Sequence, residues 1–297
     1  MTTQTKQTLA VSGASGQLGR RVVELLLQSN AGHIVAATRT PEKLADLAAK
    51  GAEVRRVDFD DAASLAHGLA GVDRLLIVST DAVGSPERRA QQHIAAIEAA
   101  TKAGVKHIVY TSIVRAESGL PPAVAPSHYA TEQALTKSPL SWTVLRNSLY
   151  TDGFLQSLPY AVSTGQLHAA TADGGVGYVT REDCARAAAA ALASNDTARK
   201  TLNVTGPSVV TGTDLAKALS EVSGKIVTFV PITLDQKKAG LVAGGLPEFV
   251  ADLLASFDDA IAQGLLEVKS DDVAHLTGSA GQSVKEFLTA NRAALAG

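Results

Sequence analysis

The chain is predicted to fold as an α/β protein, a doubly wound parallel sheet with a smaller, mainly C-terminal α/β substrate lobe, on three observations. A glycine-rich turn, Gly13-Ala14-Ser15-Gly16-Gln17-Leu18-Gly19, directly follows the apolar run Leu9-Ala10-Val11 and directly precedes Val22, Val23, Leu25, Leu26 and Leu27, which recur at helical spacing. Apolar runs and helical patterns then alternate as far as Asn147. Beyond Asn147 that rhythm breaks.

Taken in order, His33 to Thr38 reads as a strand, Pro41 to Lys50 as a helix opening with proline, and Glu53 to Asp58 as a third strand. A helix over Ala62 to Ala70, a buried strand Arg74 to Ser79, a long helix from Glu87 to Ala103 ending at Gly104, and a strand His107 to Ser112 follow. Five parallel strands are thereby placed, and Ser141 to Arg146 suggests a sixth. The remainder holds short helices, a turn at Gly174-Gly175 and an alanine-rich helix from Arg181 to Ala193, in which Cys184 reads as a small core residue. Further helices are expected over Asp214 to Ser223, Pro247 to Ala262 and Ser283 to Leu295, with a strand at Lys225 to Val230. The division expected is a dinucleotide domain over 1–150, rejoined by segments near 177–206, and a lobe formed mainly by 151–297.

Strand, glycine turn and helix together have a specific physical meaning. The first glycine permits a tight turn, the second lets backbone N–H groups approach a pyrophosphate, and the third lets the helix pack close to the strand. This is the Rossmann-type arrangement, and it implies that Gly13, Ser15, Gly16, Gln17, Leu18 and Gly19 bind a dinucleotide. Enzymes that select NAD usually place a carboxylate about 20 residues further on, at the end of the second strand. Here Thr38-Arg39 stands there, and no carboxylate occurs until Glu42. A guanidinium suits a 2′-phosphate, with Lys43 as a second charge, so NADPH is the cofactor expected. Asp58-Phe59 would lie near the adenine and Ser79-Thr80 near the nicotinamide ribose, although each pair is equally compatible with a plain strand end.

Composition excludes several classes. The 297 residues are 45% hydrophobic and 19% charged with a net charge of -2, which gives no general attraction to nucleic acid. One cysteine rules out an internal disulfide, and the seven histidines lack paired metal-ligand spacing. The N-terminal stretch Met1 to Gln7 is polar, and no run of roughly 18 apolar residues follows, so a cytoplasmic protein without metal or membrane partners is expected.

Short-chain reductases commonly pair a tyrosine with a lysine four residues later, which lowers the phenol pKa. Tyr129 is followed at that distance by Gln133. A tyrosine without that lysine is a poor acid for simple ketones, which directs attention to acceptors that spread charge over a conjugated system. Ser12 to Gly19, Gly104 to Ser112, His128 with Thr131-Glu132, and above all Leu145-Arg146-Asn147-Ser148-Leu149-Tyr150-Thr151-Asp152 carry a resemblance. By them the chain resembles the NmrA-like, atypical short-chain dehydrogenase/reductases, and within them the NADPH quinone reductase and triphenylmethane reductase group. Later matches at Ser220 to Lys225 and Ser270 to Asp272 extend it over almost the whole chain.

The resemblance implies a nicotinamide and substrate at the carboxyl ends of the strands, beside Thr111, Ser112, Asn147 and Tyr150. Asn147 would hydrogen-bond a carbonyl or carboxamide and Tyr150 would stack on a flat ring, although a turn residue and a core aromatic fit the same positions. His128 is the titratable candidate of the region, although a lone histidine is more often structural. The expected activity is hydride transfer from NADPH to a quinone or similar flat acceptor, triphenylmethane-type dyes included, by a protein compatible with a homodimer. The alternative is a non-enzymatic regulator that senses NADP.

Overall fold

The computed structural model describes residues 6–82, 84–119, 121 and 123–295; Met1–Thr5 of the polar N-terminal stretch lie outside them. Strand β1 (Thr8–Val11) runs through the glycine turn into α1 (Gln17–Gln28), and the alternation continues with β2 (His33–Thr38), α2 (Ala45–Ala49), β3 (Glu53–Arg56) and α3 (Ala62–Gly68). Then come β4 (Arg74–Ile77), α4 (Pro86–Lys102), β5 (His107–Ile113), α5 (Ala125–Lys137) and β6 (Ser141–Asn147). The later part carries α6 (Phe154–Thr164), β7 (Gln166–Ala169), β8 (Gly175–Val176), α7 (Arg181–Ala193), β9 (Lys200–Val204), β10 (Val210–Thr211), α8 (Gly212–Ser223) and β11 (Thr228–Pro231). It ends in α9 (Leu234–Ala243), α10 (Glu248–Ala262), α11 (Asp272–Thr277), α12 (Val284–Ala290) and α13 (Arg292–Leu295).

Seven strands form the main sheet in the order β3-β2-β1-β4-β5-β6-β9. Leu9 of β1 pairs in parallel with Ile34 on one side and Arg74 on the other, so the strand order reverses between β1 and β4. Ligands of open α/β sheets bind outside the carboxyl ends of the strands at such a reversal. The chain divides into two compact units, one formed by Met1–Ile113, Pro126–Arg146 and Cys184–Leu202, the other by Val114–Ala125, Asn147–Asp183 and Asn203–Gly297. The first is centred on Val35, Leu75, Ile77, Ile97, Ile108, Tyr110 and Leu135, and the second on Phe154, Leu158, Val162, Leu219, Phe287 and Leu288. Cys184 is buried, as the alanine-rich pattern predicts.

Arg74 opens β4 although it is only 3% exposed. Its guanidinium donates from Nε to the Leu192 carbonyl at 2.9 Å, from Nη2 to Ala191 at 3.1 Å and from Nη1 to Asp196 at 3.1 Å. Those oxygens belong to the end of α7 and the turn after it, where helical carbonyls lack partners and the helix dipole favours a cation.

Four expectations need correction. Pro41 to Lys50 is not one helix: a 3₁₀ turn, Pro41–Leu44, precedes α2, and Arg20 Nη2 donates to the Lys43 carbonyl at 2.8 Å, an oxygen that a continuous helix would use internally. Ser283 to Leu295 breaks at Asn291, whose side chain donates to the Phe287 carbonyl at 2.8 Å and competes with the backbone ladder. The strand expected from Lys225 starts only at Thr228, because Ser223 and Ser220 accept the N–H groups of Lys225 and Val227. The main sheet also gains β9, which the sequence pattern did not separate from its polar surroundings.

Candidate functional site

The turn between β1 and α1 is held by short main-chain bonds. Ser12 N–H donates to the Leu76 carbonyl at 2.9 Å, its hydroxyl accepts from Val78 N–H at 3.0 Å, and Gly16 N–H donates to the Gly13 carbonyl at 2.9 Å. Gly13 takes φ +64°, a conformation that only glycine adopts without strain. At Gly19 a Cβ would lie 2.4 Å from the Gly13 oxygen and 2.8 Å from its carbonyl carbon, so the third glycine is what lets α1 rest on the turn. Gly16 caps α1 without a side-chain bond, which leaves N–H groups of the first helical turn available to an anion.

These residues form one end of an open cavity of about 210 Å3 in the first unit. Ser12, Gly13, Ser15 and Gly16 wall it from the turn, Thr38 and Arg39 from the end of β2, Asp58 and Phe59 from beyond β3, and Ser79, Thr80 and Asp81 from beyond β4. Ser15 and Thr38 are joined by a hydroxyl–hydroxyl bond of 2.9 Å. Arg39 is more than half exposed at the mouth, with Nη2 3.4 Å from Asp81 Oδ2. No carboxylate stands at the end of β2, so Arg39 is the charge presented there.

Of the residues expected at a dinucleotide, Gly13, Ser15, Gly16, Arg39, Asp58, Phe59, Ser79 and Thr80 are brought together in this wall. Gln17, Leu18, Gly19, Lys43, Thr111 and Ser112 do not line it. Gln17 and Leu18 begin α1, and their N–H groups belong to its first turn. Lys43 sits in the 3₁₀ turn Pro41–Leu44. Thr111 lies behind the wall and accepts Ser79 N–H at 2.9 Å, while Ser112 donates to Glu132 Oε1 at 2.6 Å. Ser12, Thr38, Asp81 and Gln92 also line the wall without having been expected there; Ser12 directly follows β1 and Thr38 ends β2, which was the available signal, whereas Asp81 and Gln92 gave none.

The α5 candidates face different surroundings. Tyr129 is 41% exposed. His128 is buried, with Nδ1 2.8 Å from the Tyr110 hydroxyl, and burial holds its pKa well below the ordinary imidazole value. Enclosed in this way, His128 is a hydrogen-bonded residue of the core, and burial favours its neutral form. Glu132 receives Arg146 in a two-point ion pair, Nη2 to Oε2 at 2.6 Å and Nε to Oε1 at 3.0 Å.

Asn147 and Tyr150 lie together in the second unit. Asn147 Nδ2 donates to the Tyr150 hydroxyl at 3.1 Å, and Asn147 Oδ1 is buried without a partner. Such an orphaned acceptor is costly and calls for a donor from elsewhere. Arg181 lies 5.6 Å above the Tyr150 ring and is held by Asp152, which accepts its N–H at 2.8 Å and Nη1 at 3.0 Å. Among the described residues there is no group of three or more histidine, cysteine, aspartate or glutamate side chains that could hold a metal ion, and no helix is long and apolar enough to cross a membrane.

Comparison with known proteins places the chain among NAD(P)H-binding proteins. A family model described as NAD(P)H-binding matches residues 13–195. Quinone oxidoreductase 2 of Escherichia coli is 38% identical over 288 residues, 95% of this chain and 99% of that protein. The crystal structure of that NADPH-dependent enzyme complexed with NADPH superposes with a TM-score of 0.89 at the same coverage. The triphenylmethane reductase of Citrobacter sp. superposes with a TM-score of 0.90 at 37% identity, over 97% of this chain and 99% of the other. An NmrA-like family domain-containing oxidoreductase of Aspergillus flavus is 27% identical, with 95% of each chain covered.

Proposed function

The chain belongs to the NAD(P)H-binding, NmrA-like family, and from that premise we propose that it is an NADPH-dependent oxidoreductase that reduces a quinone or a similar flat conjugated acceptor. The cavity at the strand reversal carries the reading, because it joins the turn that opens α1, capped by Gly16 with no side-chain bond, to the Arg39 guanidinium at the end of β2. Bound there, the reduced nicotinamide supplies the hydride. The protein supplies orientation: the first turn of α1, with the N–H groups of Gln17 and Leu18, holds the pyrophosphate, Arg39 the 2′-phosphate, and Asp58 and Phe59 the adenosine end. Ser79 and Thr80 continue the binding surface, with Thr111 and Ser112 fixed behind them. Asn147 and Tyr150 position the acceptor, the first by hydrogen bonding through its orphaned oxygen, the second by stacking.

The acceptor class follows from what the chain does not tune. Gln133 occupies the place of a pKa-lowering lysine and His128 is kept neutral by burial, so an acceptor that delocalises the incoming electron pair suits the site better than a simple ketone. Following NADPH absorbance with a panel of quinones and triphenylmethane dyes tests the reading. Turnover supports it, whereas tight NADPH binding with no turnover of any acceptor favours a sensing role.

Two substitutions sharpen the test. Arg39→Ala should weaken NADPH by about 1.5 kcal/mol, the low end for a charge-assisted bond at an exposed side chain, and leave NADH nearly unchanged. Equal losses for both cofactors in calorimetry contradict the assignment. Tyr129→Phe should keep kcat/KM for one quinone within about tenfold, against the 10²–10⁴ credited to general acid catalysis, while Asn147→Ala and Tyr150→Ala lose more. If Tyr129→Phe is the most damaged of the three, Tyr129 is the acid after all.

A further inference from the structure

Thr80 walls the cavity, and its peptide groups are gripped from behind by two buried side chains of α4. Thr80 N–H donates to His93 Nε2 at 3.0 Å, and the Thr80 carbonyl accepts from Arg89 Nε at 2.8 Å. His93 is 0% exposed and Arg89 4%. Four residues apart, they share one face of the helix. Neither lines the cavity.

The bonds around them fix their roles. Thr131 donates its hydroxyl hydrogen to the Ser127 carbonyl at 2.7 Å, so its oxygen accepts from His93 Nδ1 at 2.9 Å. His93 is therefore protonated on Nδ1 and offers Nε2 as an acceptor, which is what Thr80 N–H requires. Burial beside Arg89 pushes the His93 pKa down to about 3, so this neutral form persists across the physiological range. Arg89 Nη1 donates to Ser127 Oγ at 2.9 Å, so its fork spans from the Thr80 carbonyl to α5. Tyr110, 3.3 Å from His93 Nδ1 and 2.8 Å from His128 Nδ1, closes the cluster and gives His128 a place in it.

We propose that Arg89 and His93 are positioning residues for the dinucleotide: they clamp both peptide groups of Thr80, and so set the segment Ser79-Thr80-Asp81 in the cavity wall without touching the ligand. The inference rests on the NADPH reading of that cavity. A residue gripped at both its N–H and its C=O cannot rotate its peptide planes, and the neighbouring wall atoms stay in place before the ligand arrives. A buried arginine and a neutral histidine are costly to hold in a core, and the bonds to the Thr80 N–H and carbonyl are among those that offset that cost.

The test compares His93→Leu, which removes the acceptor, with His93→Gln, whose Oε1 can restore it. Fluorescence titration of NADPH and steady-state kinetics with one quinone are the readouts, with melting temperature as a control. His93→Leu should raise the NADPH Kd and KM about tenfold with kcat at saturating NADPH little changed, and His93→Gln should return both to within about threefold of the parent. Unaltered NADPH affinity in a folded His93→Leu protein overturns the proposal, as does a kcat loss with KM unchanged. ¹⁵N imidazole spectra of the unmutated protein provide a second arm independent of variant folding: the His93 Nε2 resonance should be that of an unprotonated acceptor and should shift when NADPH is added. A protonated Nε2, or no response to NADPH, also overturns it. An unmutated protein that binds neither NADPH nor NADH refutes the cofactor reading itself and is recognised separately.

Discussion

Gly19→Ala should abolish measurable NADPH binding, and with it turnover, while lowering the melting temperature by several degrees. The added Cβ would lie 2.4 Å from the Gly13 oxygen and 2.8 Å from its carbonyl carbon, both main-chain atoms that cannot swing aside. Helix α1 must then lift from the turn, or the turn must deform, and either movement misplaces the N–H groups offered to the pyrophosphate. Forcing one extra carbon into such a contact costs about 1–3 kcal/mol, which for a chain of this size corresponds to roughly 2–4 °C per kcal/mol. Gly16→Ala is the matched control: its Cβ would stand 3.3 Å from the same oxygen, a distance met by a shift of a few tenths of an ångström. The Gly16 variant should fold like the parent and bind NADPH more weakly. Calorimetry and thermal melts of the two variants give the comparison, and a Gly19→Ala protein with parental affinity removes the glycine turn from the cofactor site.

The parts of this site legible in the sequence are those fixed by local spacing. Strand, turn and helix occupy residues 8–28 in one continuous pattern, with Gly13 and Gly16 in the cavity wall and Gly19 where α1 packs on the turn. Arg39 was equally readable, because the end of β2 lies at a set distance from the turn. Lys43 could not be placed from spacing alone: a 3₁₀ turn advances three residues per turn rather than 3.6, and Arg20 ties its carbonyl from another helix. Asp81 and Gln92 enter the wall only because β4 pairs with β1 and α4 returns over it, and no short-range signal encodes that. His128 could be read as a titratable candidate, but its neutrality comes first from burial and then from Arg89 and His93 of α4, an element distant in sequence. In the second unit serine and asparagine side chains satisfy main-chain groups locally, at Ser220, Ser223 and Asn291, and blur the apolar periodicity by which strands and helices are read.

Arg74 lies furthest beyond sequence reading, since a charged residue at the head of a buried strand looks like a strand boundary and its partner Leu192 is 118 residues away. Its substitution should carry the largest stability change. Arg74→Met keeps much of the aliphatic volume but strips the donors from the Leu192, Ala191 and Asp196 carbonyls and removes a cation from the end of α7. Leaving buried acceptors unsatisfied costs about 1–3 kcal/mol each, with part recovered because a buried guanidinium no longer has to be desolvated. A net loss of about 3–5 kcal/mol is expected, or roughly 6–20 °C in melting temperature. Arg74→Lys should fall between, because one ammonium cannot reproduce a planar fork that reaches three oxygens from Nε and both terminal nitrogens. The residue is remote in function: at a temperature where Arg74→Met is folded, its NADPH affinity should match the parent. A melting temperature within 2 °C of the parent would show that α7 ends as stably without the guanidinium as with it.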